Sequence, residues 1–174
     1  MGHEEHQKKA PRRVGVALVT VSTSREEADD RSGPLMAALV AAQGHEVVER
    51  RLVRDGIGPI GACLAELAGS RAVQAVLLSG GSGITADDQT VEAVAPHVQA
   101  WIPGFGELFR QLSYAEIGPA AMLSRACAAV CKFGGRRLLV AVLPGSPEAV
   151  RLALERLLLP ELGHLLYEID RRSP

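Results

Sequence analysis

Two kinds of apolar run alternate along the chain, and their order sets the expected architecture. Val14 to Val21 and Val73 to Leu78 are almost continuously apolar, the pattern of strands covered on both faces. Glu46 to Val53 alternates and reads as another strand. Between them the spacing becomes helical. Leu35, Met36, Leu39, Val40 and Ala42 make one apolar face stopped by Gly44, and Ile60 to Leu67 make a second before Gly69. A helical stretch through Leu108, Phe109 and Leu112 follows Ile102-Pro103-Gly104-Phe105-Gly106. Ala126 to Lys132 and Arg137 to Leu143 are predicted to pair across Gly134-Gly135. Pro144-Gly145-Ser146-Pro147 then opens a helix with Ser146 as N-cap and Pro147 at its first position. This alternation predicts one α/β domain over residues 14–170: a single doubly wound, mostly parallel sheet with helices on both faces and a short antiparallel hairpin strand. Residues 1–13 are polar and read as a disordered N-terminal tail.

Composition narrows the function classes. A chain of 174 residues suits one core, and with 47% hydrophobic but only 3% aromatic residues that core is built from Ala, Val, Leu and Ile. The net charge is -1, with the tail more basic than the remainder, so a nucleic-acid partner is not expected. No apolar run approaches the roughly 20 residues of a membrane span, so no membrane partner is expected either. The tail lacks the apolar centre of a signal peptide, which makes the cytoplasm the expected location. Cys63, Cys127 and Cys131 are an odd number and read as buried apolar residues. A zinc role for Cys127 and Cys131 would need His or further Cys nearby in sequence, and none is there. The histidines fall in the tail, at turns or at helix ends, and none takes a catalytic role.

The candidate chemistry lies where strands end. In a doubly wound sheet the carboxyl ends of the parallel strands share one edge, so loops at Ser22, Asp55 and Gly80 are expected to converge there, joined by Pro144-Gly145-Ser146. Ser79-Gly80-Gly81-Ser82-Gly83 followed by Asp87-Asp88 is a glycine- and hydroxyl-rich turn running into acids. Such a turn aims backbone N–H groups at one point and suits phosphate, and the helix after Asp88 would add its positive end. Carboxylates beside phosphate call for a divalent cation between them, and magnesium fits. Plainer readings stand beside these. Asp88 caps the next helix, Asp55 is a turn residue, and the glycines serve only a tight crossover. Ser124 satisfies turn backbone, and Arg125 pairs with a surface acid. Trp101, Phe105 and Phe109 pack, or mark a subunit contact.

Five segments in order carry a resemblance: DRSGP at Asp30 to Pro34, SGGSGITADDQTVEA at Ser79 to Ala93, PGFGELFRQLS at Pro103 to Ser113, MLSRA at Met122 to Ala126, and LPGSP at Leu143 to Pro147. With these the chain resembles the MoaB/MogA family of molybdenum-cofactor biosynthesis proteins, and its spelling is closer to the MoaB branch. The resemblance implies a molybdopterin-binding α/β domain that, in active members, adenylylates molybdopterin with Mg2+ and ATP, releasing pyrophosphate. It places the two family aspartates, catalytic and magnesium-binding, on Asp55 and Asp88. The nucleotide and pterin contacts it implies fall on Ser22, Ser79, Gly80, Gly81, Ser82, Gly83, Ser124, Arg125, Pro144, Gly145 and Ser146. It also implies a homotrimer or homohexamer. There are two departures: Ser79 and Ser82 replace threonines, a mild change that keeps the hydroxyls, and Gly56 stands where an acid commonly follows the first aspartate, a loss that weakens the expected metal site.

Three functions therefore compete. The first is a molybdopterin adenylyltransferase. The second is a non-catalytic molybdopterin-binding carrier, favoured by the MoaB-like spelling and Gly56. The third comes from the similar competence-damage-inducible (CinA) domain, whose relatives act on nucleotide pyrophosphates; the Leu-Ser-Arg and Pro-Gly-Phe-Gly-Glu segments count against it.

Overall fold

The computed structural model describes residues 10–22 and 30–171. Its strands are β1 (Gly15–Val21), β2 (Glu46–Val53), β3 (Ala75–Ser79), β4 (Val98–Trp101), β5 (Cys127–Phe133) and β6 (Arg136–Leu143). Its α-helices are α1 (Ser32–Ala42), α2 (Ile57–Gly69), α3 (Thr90–Val94), α4 (Pro103–Ile117), α5 (Pro147–Ala153) and α6 (Leu159–Asp170). The strands form one sheet in the order β2-β1-β3-β6-β5-β4. β2, β1, β3 and β6 pair in parallel, and β5 is antiparallel to both its neighbours. The expected doubly wound sheet with an antiparallel hairpin is what forms.

Both faces of the central strands are covered, which is why their sequences run apolar without alternation. Along β1, Val16 and Leu18 face one core with Met36, Val40, Phe105, Phe109, Val150 and Leu162, while Ala17, Val19 and Val21 face the other with Ile60, Leu64, Leu67 and Val94. β2 lies at one edge and alternates between partly buried and exposed positions. β4, at the other edge, was not expected from the sequence. It is four residues long, mostly exposed, and holds its place by pairing with β5 rather than by an apolar pattern. The hairpin register is as expected, with Cys127 opposite Val142 and Phe133 opposite Arg136.

Several local choices fix the helices. Ser146 caps α5 by accepting from the Ala149 N–H at 3.2 Å, with Pro147 following. Between α5 and α6 the chain widens into a π-type turn over Leu154–Leu158, just before Pro160, which has no N–H to donate into the helix. Arg136 reaches the end of α2, donating to the carbonyls of Ala68, Ser70 and Val73, so a cation meets the negative end of that helix. Of the predicted tail, residues 1–9 lie outside the described residues; Arg13 forms an ion pair with Glu46 at 3.1 Å. Cys63 and Cys131 are buried, all three cysteines are free, and burial pushes the Cys131 thiol up to about 12 and Cys127 up to about 11. Phe105 and Phe109 pack in the core, their ring centroids 6.3 Å apart, whereas Trp101 is exposed on the edge strand.

Candidate functional site

The carboxyl ends of β1, β2, β3 and β6 share one edge, and there the chain encloses a depression of about 550 Å³. Ser22, Asp55, Gly80, Gly81, Ser82, Gly83, Asp88, Ser124, Pro144 and Gly145 all line it, together with Val21, Thr85, Asp87 and Leu123. Residues more than thirty positions apart thus meet because strand ends do. The part of the first loop spanning Thr23, Ser24 and Asp29 lies outside the described residues. Its far side is anchored by Asp30, whose carboxylate accepts from the Thr20 hydroxyl at 2.9 Å and the Gly33 N–H at 2.8 Å. The start of α1 is tied to the last loop by the Ser32 hydroxyl donating to the Gly145 carbonyl at 3.0 Å.

Close approach explains the glycines. Gly80 has φ +111, and a Cβ there would lie 2.1 Å from the Val21 carbonyl oxygen. Gly81 has φ +63, and a Cβ would lie 2.2 Å from the Thr90 hydroxyl and 2.4 Å from an Asp55 carboxylate oxygen. These distances are impossible for any side chain. The missing Cβ at position 81 is what lets the Asp55 carboxylate lie against the glycine loop. Gly56, the departure beside Asp55, has φ +145, a backbone conformation that favours glycine, and it opens α2. An acid there would require a different entry into the helix.

The two aspartates differ in environment. Asp55 accepts the Gln89 backbone N–H at 3.1 Å. Burial, and then the neighbouring charges of Asp88 and Asp87, push its carboxyl above the ordinary 3.8, against the N–H groups of Gln89 and Gly56. Asp88 moves the other way. Its carboxylate accepts the Thr85 hydroxyl at 2.6 Å and the Thr85 N–H at 2.9 Å. The Thr85 hydroxyl contributes most to holding Asp88 below the ordinary value, helped by the Thr85 and Gly83 N–H groups and the Arg125 charge. The Asp88 charge is thus felt at Asp55, and both carboxylates line the same depression.

Asp55 makes stability depend on pH. Because its folded pKa is raised, the stability linked to its protonated form is fully present below 3.8 and is lost as pH rises through the raised value. Asp55→Asn keeps an oxygen for the Gln89 N–H and carries no charge. Without substrates it should melt above the parent protein at pH 7, the gap closing in acid where the parent carboxyl is protonated in both states. Differential scanning calorimetry across pH checks this; a variant that melts lower at pH 7 would contradict it.

Three residues implied as ligand contacts do not line the depression. The Ser79 hydroxyl is buried and donates to the Pro144 carbonyl at 3.0 Å, holding two strand ends together. Ser146 is occupied as the α5 cap. Arg125 lies behind the loop: its Nε–H donates to the Gly83 carbonyl at 2.6 Å, its Nη2 donates to the Asp88 carbonyl at 2.8 Å, and its Nη1 pairs with the Glu92 carboxylate. Nor does Asp88 cap a helix. α3 starts at Thr90 after an uncapped Gln89, and the N–H groups that would carry its positive end go to Asp55 and to the Gly81 carbonyl, 3.1 Å in each case. Thr85, Gln89 and Glu92 also shape the site, through Asp88, Asp55 and Arg125 respectively, and are not marked as site residues by the sequence. Thr85 sits three residues before Asp88, a spacing at which a hydroxyl and a carboxylate close a local turn; Gln89 and Glu92 carry no such signal.

Carboxylate oxygens are the right donors for a hard cation such as magnesium. Asp55, Asp87 and Asp88 crowd negative charge that a dication would relieve. Among the described residues no three His, Cys, Asp or Glu side chains close into a preformed cage. Two carboxylates with a shell completed by phosphate oxygens and water is the usual arrangement for Mg2+, and the residues here fit it.

Residues 15–164 match the family described as "Probable molybdopterin binding domain". The chain belongs to the MoaB/MogA family. It is 44% identical over 170 residues to a "Molybdenum cofactor biosynthesis protein B" from Halalkalibacterium halodurans, covering 97% of this chain and 98% of the relative. Among solved structures, a "Molybdenum cofactor biosynthesis protein B" superposes with TM-score 0.86 at 43% identity, over 94% of this chain and 99% of the other. The "tungsten cofactor synthesizing protein MoaB from Pyrococcus furiosus" gives TM-score 0.81 at 33% identity, over 93% and 100%. This MoaB/MogA chain therefore carries a molybdopterin-binding type of domain, with its glycine loop and two aspartates at the sheet's carboxyl edge. Among its described residues no helix is long and apolar enough to cross a membrane.

Proposed function

We propose that this MoaB/MogA protein binds molybdopterin at the glycine-loop depression and transfers AMP to it from ATP. The observation that carries the reading is the meeting of Asp55 and Asp88, from separate strand ends, in one depression with the glycine loop. A phosphate oxygen of molybdopterin attacks the α-phosphorus of ATP, the bond to the β-phosphate breaks, and pyrophosphate leaves. The nucleophile is already ionised, so no protein base is required. The obstacle is repulsion between a phosphate dianion and a triphosphate.

Asp55 and Asp88 would hold Mg2+, and that ion when bound supplies charge neutralisation between the phosphate groups. The glycine loop keeps side chains out of the way so that phosphate approaches backbone closely. Asp88 is kept ionised by Thr85 and Gly83, and Asp55 is aimed by Gln89 and Gly56. Ser22, Ser82 and Ser124 place hydroxyls, and Pro144-Gly145 backbone, around the bound substrates. Purified protein incubated with molybdopterin and Mg-ATP is expected to release pyrophosphate in step with adenylyl-molybdopterin. Tight molybdopterin binding without any pyrophosphate would instead support the carrier reading, which Gly56 favours because its backbone excludes a second acid beside Asp55.

The protein is proposed to work as a homotrimer or homohexamer in the cytoplasm. Exposed Trp101, Tyr114, Ile117, Met122 and Leu123 give β4, α4 and the turn after it an apolar surface suited to a second copy. Multi-angle light scattering should report three or six times the 18.4 kDa chain mass; a monomer at micromolar concentration would contradict this.

A further inference from the structure

The guanidinium of Arg125 is turned toward protein rather than toward the depression. Its Nε–H goes to the Gly83 carbonyl and one Nη2 bond to the Asp88 carbonyl, while Nη1 and Nη2 engage the Glu92 carboxylate. Its own backbone N–H donates to the Ser82 carbonyl at 3.0 Å. One residue thus grips the loop at Ser82, Gly83 and Asp88, both ends of the segment that carries the acids. In a trans peptide the C=O of one residue and the N–H of the next point in opposite directions. With the Asp88 carbonyl turned to Arg125, the Gln89 N–H turns away from it, and that N–H is the one donating to Asp55. A single peptide plane therefore links Arg125 on one side to Asp55 on the other, and Asp88 sits on that plane. The same geometry turns the Ile84 N–H away from Arg125.

We infer that Arg125, held by Glu92 of α3, is a positioning residue that sets the Gly83–Asp88 loop and both aspartates through the loop backbone, and that it does not hold substrate phosphate. Its part in turnover rests on the adenylyl-transfer reading above; its effect on the loop does not. The geometry also gives Glu92 a definite direction of effect. A guanidinium that served substrate phosphate would be freed, and made more attractive to anions, by removing the Glu92 charge. A guanidinium that braces the loop would be loosened by the same change.

Glu92→Gln and Arg125→Lys test this, since lysine has one point of contact where the guanidinium spans three partners. Amide hydrogen exchange over residues 83–89 is expected to speed up about tenfold in both variants, with the central strands unchanged. Molybdopterin affinity should stay within about threefold of the parent, and where turnover is measured kcat should fall about tenfold in Glu92→Gln with KM for molybdopterin little changed. Unchanged loop exchange in both variants overturns the inference whatever the kinetics show, and so does tighter molybdopterin binding in Glu92→Gln. If the parent protein makes no pyrophosphate, the adenylyl-transfer reading fails, and exchange together with pterin binding still decides the brace. Should Arg125→Lys fail to fold, Glu92→Gln decides alone, because the Glu92 side chain lies at the surface.

Discussion

Asp88→Asn is expected to slow adenylyl transfer by about 10²-fold or more while molybdopterin affinity stays within about threefold. Asparagine can still accept the Thr85 N–H and hydroxyl, so the turn closed by Asp88 persists and what disappears is charge. That charge is maintained by neighbours that hold the carboxyl low. Its removal leaves less to offset phosphate repulsion as the new P–O bond forms, an effect felt in the transition state more than in binding. Asp55→Asn is expected to act through the same cation, so the double variant should be scarcely slower than the slower single one, the mark of residues that work as a unit. Steady-state pyrophosphate release by the two single variants and the double variant measures this. Multiplying effects would mean that the two aspartates serve separate steps.

Gly81→Ala is expected to damage stability and turnover together, because the single methyl group it adds meets Asp55 itself. The added Cβ would lie 2.2 Å from the Thr90 hydroxyl oxygen and 2.4 Å from an Asp55 oxygen, at a residue whose φ is +63. Thr90 cannot easily give way, since its side chain is fully buried and donates to the Gly80 carbonyl at 2.9 Å. Asp55 is the mobile partner, and its displacement breaks its contact with the Gln89 N–H. Strain and lost bonds together should cost about 2–4 kcal/mol of stability, and turnover should fall by about 10²-fold at temperatures where the variant is folded. Urea denaturation and pyrophosphate release check both halves. A Gly81→Ala variant of parental stability and rate would show that the loop relaxes without moving Asp55.

The parallel sheet was legible because burial on both faces writes itself into β1 and β3 as unbroken apolar runs, and the hairpin because Gly134-Gly135 separates two apolar stretches. β4 was not, since a short exposed edge strand needs no pattern of its own when a neighbour supplies its hydrogen bonds. At the site, topology alone predicted that Asp55 and the glycine loop meet, and Asp55 and Asp88 do line one depression with that loop. What the sequence could not reveal is direction. Arg125 follows a serine beside the site, yet its guanidinium turns back to loop carbonyls and Glu92, thirty-three positions away. Gln89 matters mainly through a backbone N–H, which no residue identity encodes. The family resemblance supplied the reaction; the chain's own residues supply the reason that two acids and three glycines stand where they do.

Asp55 and Asp88 are proposed to grip one hydrated dication between phosphate groups. Titration of Mn2+ into the protein with a non-hydrolysable ATP analogue, followed by electron paramagnetic resonance, tests it most directly. One bound ion is predicted per chain in the parent protein, with affinity reduced about tenfold or more in Asp55→Asn and in Asp88→Asn alike. Parental Mn2+ affinity in either variant would contradict it.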